Sequence, residues 1–266
     1  MAGIFPPLLQ VCHIRVSRPH PGDFSFNLLI FMLIAYTMPQ PYTAHPPLDT
    51  PFALLQQGVQ DALKTLPPGH PAPTLVAASK TQPTSRIEEA IRLGIRHFGE
   101  NRIQDLLSKW PELKARHPDV VLHLIGPLQS NKAAEAVAWC DIIETIDRTK
   151  IADAIAAECA KQGKRPHCLI QVNTGEEPQK AGVIPAEADA LIHYATETAG
   201  LHVTGLMCIP PVGQHPAPHF ALLRHIGERN GLTTLSMGMS GDYKEAIRMG
   251  ATHIRLGTAL FGERTA

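Results

Sequence analysis

Apolar positions recur along this chain with two alternating periods. Short apolar runs are separated by longer stretches in which apolar residues return every three or four positions. The runs read as buried strands, and the stretches as helices with one apolar face. The first element is predicted near Asp49. Thr50-Pro51 offers a capping residue and a proline at the first helical position. Phe52, Leu55, Val59, Ala62, Leu63 and Leu66 then make one stripe, which Pro67-Pro68-Gly69 ends. Strands are predicted at 74–79, 95–98, 120–125, 141–145, 167–172, 202–206, 232–236 and 252–256. The stretches between them carry helix starts. Ser85 and Glu88 have capping-box spacing, Asp147 and Asp242 read as caps, and Pro185 opens a helix. Gly94, Gly163, Gly200, Gly231 and Gly250 each stand after a helix and just ahead of a strand. Ala90-Ile-Arg-Leu-Gly94 is echoed by Ala246-Ile-Arg-Met-Gly250. Eight such units predict an α/β fold, a closed parallel (β/α)8 TIM-type barrel preceded by one helix, over an open doubly wound sheet.

Residues 1–48 fall outside this pattern. They are proline-rich and without period. The apolar run 26–38 is too short for an ordinary membrane span. Arg15 and Arg18 before it give a faint signal-peptide look, but no A-x-A-like site follows. The expectation is a disordered or over-extended N-terminal segment at 1–48, with the native start near Met38, and a barrel domain at 49–266.

Composition removes several function classes. Lys plus Arg and Asp plus Glu balance at 24 each, so no nucleic-acid footprint is expected. The five cysteines, Cys12, Cys140, Cys159, Cys168 and Cys208, are odd in number and irregular in spacing, with no C-x-x-C. Neither a disulfide framework nor a structural zinc site is expected, and reduced thiols fit a cytoplasmic protein. His215 and His219 have i,i+4 spacing, but flanking prolines weaken a metal reading, and no metal site is expected. No P-loop and no G-x-G-x-x-G occurs.

The candidate chemistry lies where strands end, because a barrel gathers its strand C-termini on one face. Lys80 follows the first predicted strand. Taken alone it reads as a lysine reaching to solvent. Asn101, the 126–132 loop, Asn173, the 207–211 loop, Ser240 with Gly241, and Gly257 with Thr258 follow other strands. Two stretches are the most specific, Ser236-Met-Gly-Met-Ser-Gly-Asp242 and Arg255-Leu-Gly-Thr258. Barrels commonly seat phosphate on the loops after strands seven and eight, where glycines bare backbone N–H groups and hydroxyls add donors. A phosphate cradle facing a strand-end lysine suggests a phosphorylated carbonyl compound held as a Schiff base. Pyridoxal 5'-phosphate (PLP) satisfies this, and so does a sugar-phosphate aldolase substrate.

Ser79-Lys80-Thr81, His97-Phe-Gly-Glu-Asn101, His123-Leu-Ile-Gly-Pro-Leu-Gln-Ser-Asn-Lys132, Gly205-Leu-Met, Leu235-Ser-Met-Gly-Met-Ser240 and Arg255-Leu-Gly-Thr-Ala-Leu-Phe-Gly262 together resemble the pyridoxal phosphate homeostasis protein family. The resemblance covers about 50–263. It implies a single-domain barrel of the alanine racemase N-terminal domain type with PLP as cofactor. It implies that Lys80 carries PLP covalently, as an N6-pyridoxal phosphate lysine. Ser240, with backbone N–H groups near Gly241, Gly257 and Thr258, would hold the phosphate. Arg255 would face the pyridine nitrogen, and Asn101 would lie beside the cofactor. A guanidinium only donates, so the ring would stay a poor electron sink. Pro178, in the 173–182 loop, and Cys208 depart from the family pattern. Neither is expected to touch the cradle.

The resemblance implies PLP homeostasis, by buffering or delivery, without robust catalysis and with no catalytic residue. The alternative is a PLP-dependent amino-acid racemase, with an aldolase-like enzyme behind it. A racemase needs a second base on the opposite face of its substrate, which the alanine racemases supply as a tyrosine from an additional β domain. None of the four tyrosines, Tyr36, Tyr42, Tyr194 and Tyr243, follows a strand end compellingly. PLP-dependent acceptor enzymes are the expected partners, with no nucleic acid and no membrane, and a monomer is expected.

Overall fold

The computed structural model describes residues 46–263. The expected start at Met38, and most of the 1–48 segment, lie outside the described residues. Helix α1 (Asp49–Leu63) comes first and β1 (Thr74–Ala78) follows. Then α2 (Thr84–Arg92), β2 (His97–Glu100), α3 (Ile103–Arg116), β3 (Val121–Leu124), α4 (Ala133–Trp139) and β4 (Ile142–Ile146) alternate. After α5 (Thr149–Gln162) and β5 (His167–Val172), α6 (Ala188–His193) runs into a wider turn, Tyr194–Thr198. The chain closes with β6 (Val203–Cys208), α7 (Ala217–Arg229), β7 (Thr234–Ser236), α8 (Tyr243–Arg248), β8 (His253–Leu256) and α9 (Thr258–Phe261).

The eight strands form one closed barrel in sequence order. β1 pairs parallel with β8, Thr74 opposite His253 and Ala77 opposite Leu256. This is the predicted (β/α)8 architecture. All eight strand C-termini therefore share one rim. The core lies mainly between strands and helices, where Phe98, Trp110, Leu122, Ile143, Ile151 and Phe220 are fully buried. The five stop glycines all take positive φ; Gly163, closing α5 at +65°, is typical.

Three predicted caps are corrected. Helix α1 begins at Asp49, not after Thr50, because Leu48 is itself buried and its N–H is accepted by Glu89 Oε1 at 2.7 Å. Helix α2 begins at Thr84 after Pro83, so Ser85 lies inside the first turn and forms no capping box with Glu88. Arg148, not Asp147, precedes α5. In each case a tertiary contact or an extended residue set the boundary, which local spacing does not encode. Strand β2 also sits later than predicted, and Glu100 belongs to it instead of to the following loop.

Candidate functional site

Lys80 stands two residues beyond the last residue of β1, on a ledge built from below. Ser79 is fully buried and donates through Oγ to Glu100 Oε1 at 2.8 Å. Lys109, from α3, donates to the same carboxylate oxygen at 2.7 Å and to the Ser79 carbonyl at 3.1 Å. Trp110 Nε1 adds a third donor at 3.0 Å. Thr81 directly follows Lys80 with φ +64°, a costly conformation for a β-branched residue. The Gln82 N–H closes the turn on the Ser79 carbonyl at 3.0 Å. The backbone on both sides of Lys80 is thus pinned, while its own side chain is half-buried and faces the rim cavity.

Across the rim, the loop after β7 and the start of α9 are tied together. The Ala259 N–H donates to Ser240 Oγ at 3.0 Å, and the Met239 N–H donates to Asp242 Oδ1 at 2.6 Å. Asp242 does precede α8, as predicted, but its side chain braces the loop. Among the described residues, Gly241 has no atom within 4 Å of where a Cβ would stand, and Gly257 would meet only Ala78, at 3.6 Å. Neither has a left-handed φ. Crowding among the described residues therefore does not require glycine at either position. What the missing Cβ atoms leave open is the cavity both residues line. Gly126 is the opposite case: a Cβ there would stand 2.2 Å from the Asn101 carbonyl oxygen, so glycine lets the two loops touch and seats Asn101.

Lys80, Asn101, Ser240, Gly241, Arg255, Gly257 and Thr258 all line one cavity of about 310 Å³. This is at the small end of ligand-binding volumes. Among the described residues lining it, Lys80 and Arg255 are the charged ones; no Asp, Glu, His, Tyr or Cys contributes. Two larger cavities, of about 790 Å³ each, lie elsewhere. One is on the outer side of Ser240 against α1, and one is at the opposite rim around His97 and Asp141. Neither includes Lys80 or Arg255, so the smaller cavity is where the chemistry converges.

Arg255 is almost fully buried and held from behind. It donates through one Nη to Ser236 Oγ at 2.7 Å and through the other to the Cys208 carbonyl at 2.8 Å. Cys208 does not line the cavity; it ends β6 beside the guanidinium, and its carbonyl orients it. Ser236 donates to Glu144 Oε2 at 2.6 Å, and His123 Nδ1 lies 2.6 Å from Glu144 Oε1. His97 Nδ1 is 3.0 Å from His123 Nε2. These side chains come from β2, β3, β4, β7 and β8, and β4 meets β7 across the barrel, so the network fills the bore. Desolvation acts to raise the Glu144 pKa, but His123, Arg255 and Ser236 outweigh it and hold the carboxyl below its usual range.

Glu100, Lys109, Glu144 and the roles of His123 and Ser236 were missing from the predicted site. The signal available for Glu100 and Glu144 was a carboxylate inside or beside a predicted buried strand, which demands a partner. Other groups set aside by the sequence have structural partners. His219 is held by the Thr174 carbonyl at 3.1 Å and Gln214 Oε1 at 3.0 Å. Asn173 Nδ2 braces the 173–182 loop by donating to the Glu177 carbonyl at 2.8 Å. Cys140, Cys168 and Cys208 are buried free thiols whose pKa desolvation pushes up to about 12.

A closed parallel barrel with one strand-end lysine, a buried arginine and a glycine-rich rim facing it is a barrel of the alanine racemase N-terminal type. The model of the family described as "Alanine racemase, N-terminal domain" matches residues 63–265. An alanine racemase structure from Clostridium difficile 630 shares this fold with TM-score 0.62 at 10% identity, over 80% of this chain and 57% of that one. A pyridoxal phosphate homeostasis protein of Aquifex aeolicus is 38% identical over 215 residues, which are 77% of this chain and 93% of the relative. The structure of PipY from Synechococcus elongatus PCC7942 with PLP bound is 35% identical, with TM-score 0.69, over 81% of this chain and all of that one. The chain belongs to the pyridoxal phosphate homeostasis protein family.

Proposed function

We propose that this protein holds PLP on Lys80 and serves PLP homeostasis, by buffering the cofactor or delivering it to PLP-dependent enzymes. The observation that carries the reading is the convergence of all seven nominated residues on one cavity containing two cations and no carboxylate. PLP has three features to satisfy, a dianionic phosphate, an aldehyde and a basic ring nitrogen. The glycine rim with the Ser240 and Thr258 hydroxyls suits the phosphate. When bound, PLP supplies an aldehyde that condenses with the Lys80 amine: one C=N bond forms and one water leaves. Arg255 spends two of its five N–H donors on Ser236 and Cys208. The remainder suit an unprotonated ring nitrogen, and a donor there leaves the ring a weak electron sink.

The lining also supports holding over turnover. Racemisation needs a second proton-transferring group opposite the lysine. Among the described residues of this cavity, no tyrosine, histidine, cysteine or carboxylate takes that place. Among the described residues, no helix is long and apolar enough to cross a membrane. In this reading the working unit is the 49–266 barrel, a cytoplasmic monomer that meets its acceptor enzymes in solution.

Incubation with PLP followed by dialysis tests the proposal. A visible absorption band is expected that Lys80→Ala abolishes. A colourless wild-type protein would overturn it, and rapid interconversion of alanine or serine enantiomers would replace it with the racemase.

A further inference from the structure

Around Glu144, the network in the barrel bore has a direction that hydrogen-bonding chemistry fixes. Arg255 can only donate, so Ser236 Oγ accepts from it at 2.7 Å. The single Ser236 proton is then directed at Glu144 Oε2, 2.6 Å away. From the other side, His123 Nδ1–H donates to the Glu144 carboxylate at Oε1, 2.6 Å away, and His97 Nδ1 lies 3.0 Å from His123 Nε2. Both halves of the chain thus end as donors on one fully buried carboxylate. Glu144 Oε2 also lies 3.9 Å from Arg255 itself, close enough to balance its charge. A protonated Glu144 would leave one of its two donors without an acceptor. His253 packs beside this chain, with ring centroids 6.2 Å from His97 and 6.0 Å from His123, and its Nδ1 is 3.0 Å from Thr252 Oγ1. No bond in the network is a contact with the rim cavity except through Arg255.

We propose that Glu144 is the positioning residue of the PLP site: acting through Ser236, it fixes the Arg255 guanidinium against the cofactor's ring nitrogen and balances its charge. The inference rests on the PLP reading. Glu144 does not line the cavity, so any effect on the cofactor travels through Arg255. A glutamine there is isosteric but carries only one acceptor oxygen, so either Ser236 or His123 loses its partner. The Arg255 charge is also left unbalanced in the bore.

The test uses the full chain with PLP, in wild type, Glu144→Gln and Ser236→Ala. Two quantities are read, the Kd for PLP and the pH midpoint of the visible band of the bound cofactor. Glu144→Gln is expected to raise the Kd about tenfold, the scale of one charge-assisted bond. It is also expected to move the pH midpoint of the band downward, because an unbalanced guanidinium disfavours a second positive charge on the cofactor. Ser236→Ala should move both the same way by less. It removes only a hydroxyl, and so keeps the test open if Glu144→Gln does not fold. A purely structural role for Glu144 would alter stability and leave the midpoint in place. Wild type that binds PLP with variants matching it in both readings would overturn this inference alone. Wild type that stays colourless would overturn the PLP reading and this inference with it.

Discussion

Lys109 Nζ lies 2.7 Å from Glu100 Oε1 and 3.1 Å from the Ser79 carbonyl, so one half-buried cation joins the end of β2 to the residue before Lys80. The Glu100 side chain is fully enclosed and that of Lys109 is 12% exposed. A carboxylate enclosed in this way depends on its cation, since an unpaired buried charge is costly.

Lys109→Met should therefore destabilise the protein by about 3 kcal/mol, the low end for breaking a buried pair, because Lys109 keeps some contact with water. Urea denaturation of the cofactor-free protein measures it. The double variant Glu100→Gln with Lys109→Met should recover part of the loss, because no buried charge then stands alone. A loss below about 1 kcal/mol would place Lys109 among ordinary surface ion pairs.

Ser240→Asp is expected to discriminate between ligands. A carboxylate at this rim position repels a phosphate dianion but has no such effect on an unphosphorylated aldehyde. The Kd for PLP should rise at least about tenfold, a cost of about 1.4 kcal/mol, while that for pyridoxal changes little. Parallel spectroscopic titrations with the two aldehydes measure the difference. Equal weakening of both would place the phosphate elsewhere.

Two histidines in the bore give stability a pH dependence. Desolvation is the main cause holding His97 at about 4, with His123 and His253 adding to it, and desolvation likewise holds His253 at about 4. Both are neutral in the folded protein and titrate near 6.5 when unfolded. Between those values the unfolded chain binds more protons, so stability falls as pH drops from 6.5. Urea midpoints between pH 6.5 and 4.5, above the range where Glu144 titrates, should decline steadily. His253→Gln should flatten the decline, and an unchanged slope in that variant would contradict the assignment.

The sequence carried the architecture and the cavity lining further than it carried what supports them. Strand-end residues such as Lys80, Ser240 and Gly257 are legible because a parallel barrel sends every strand end to one rim, whatever the details of packing. Stop glycines such as Gly163 are legible because a left-handed φ is a local demand. Glu144 was not, because its partners His123 and Ser236 are 21 and 92 positions away. Glu100 looked like a loop residue because its compensation comes from Lys109 and Trp110 on the next helix. Met207 and Cys208 read as loop for a similar reason: the prolines after them suggested an earlier end to β6 than the pairing of Val172 with Cys208 allows.

Lys80 is proposed to carry the cofactor. Borohydride reduction of the PLP-loaded protein, followed by proteolysis and peptide mass mapping, reads it directly. One pyridoxyl-phosphate adduct is expected, on the peptide containing Lys80, and it should be lost in Lys80→Ala. An adduct on Lys109, Lys132 or Lys180 with Lys80 unmodified would contradict it.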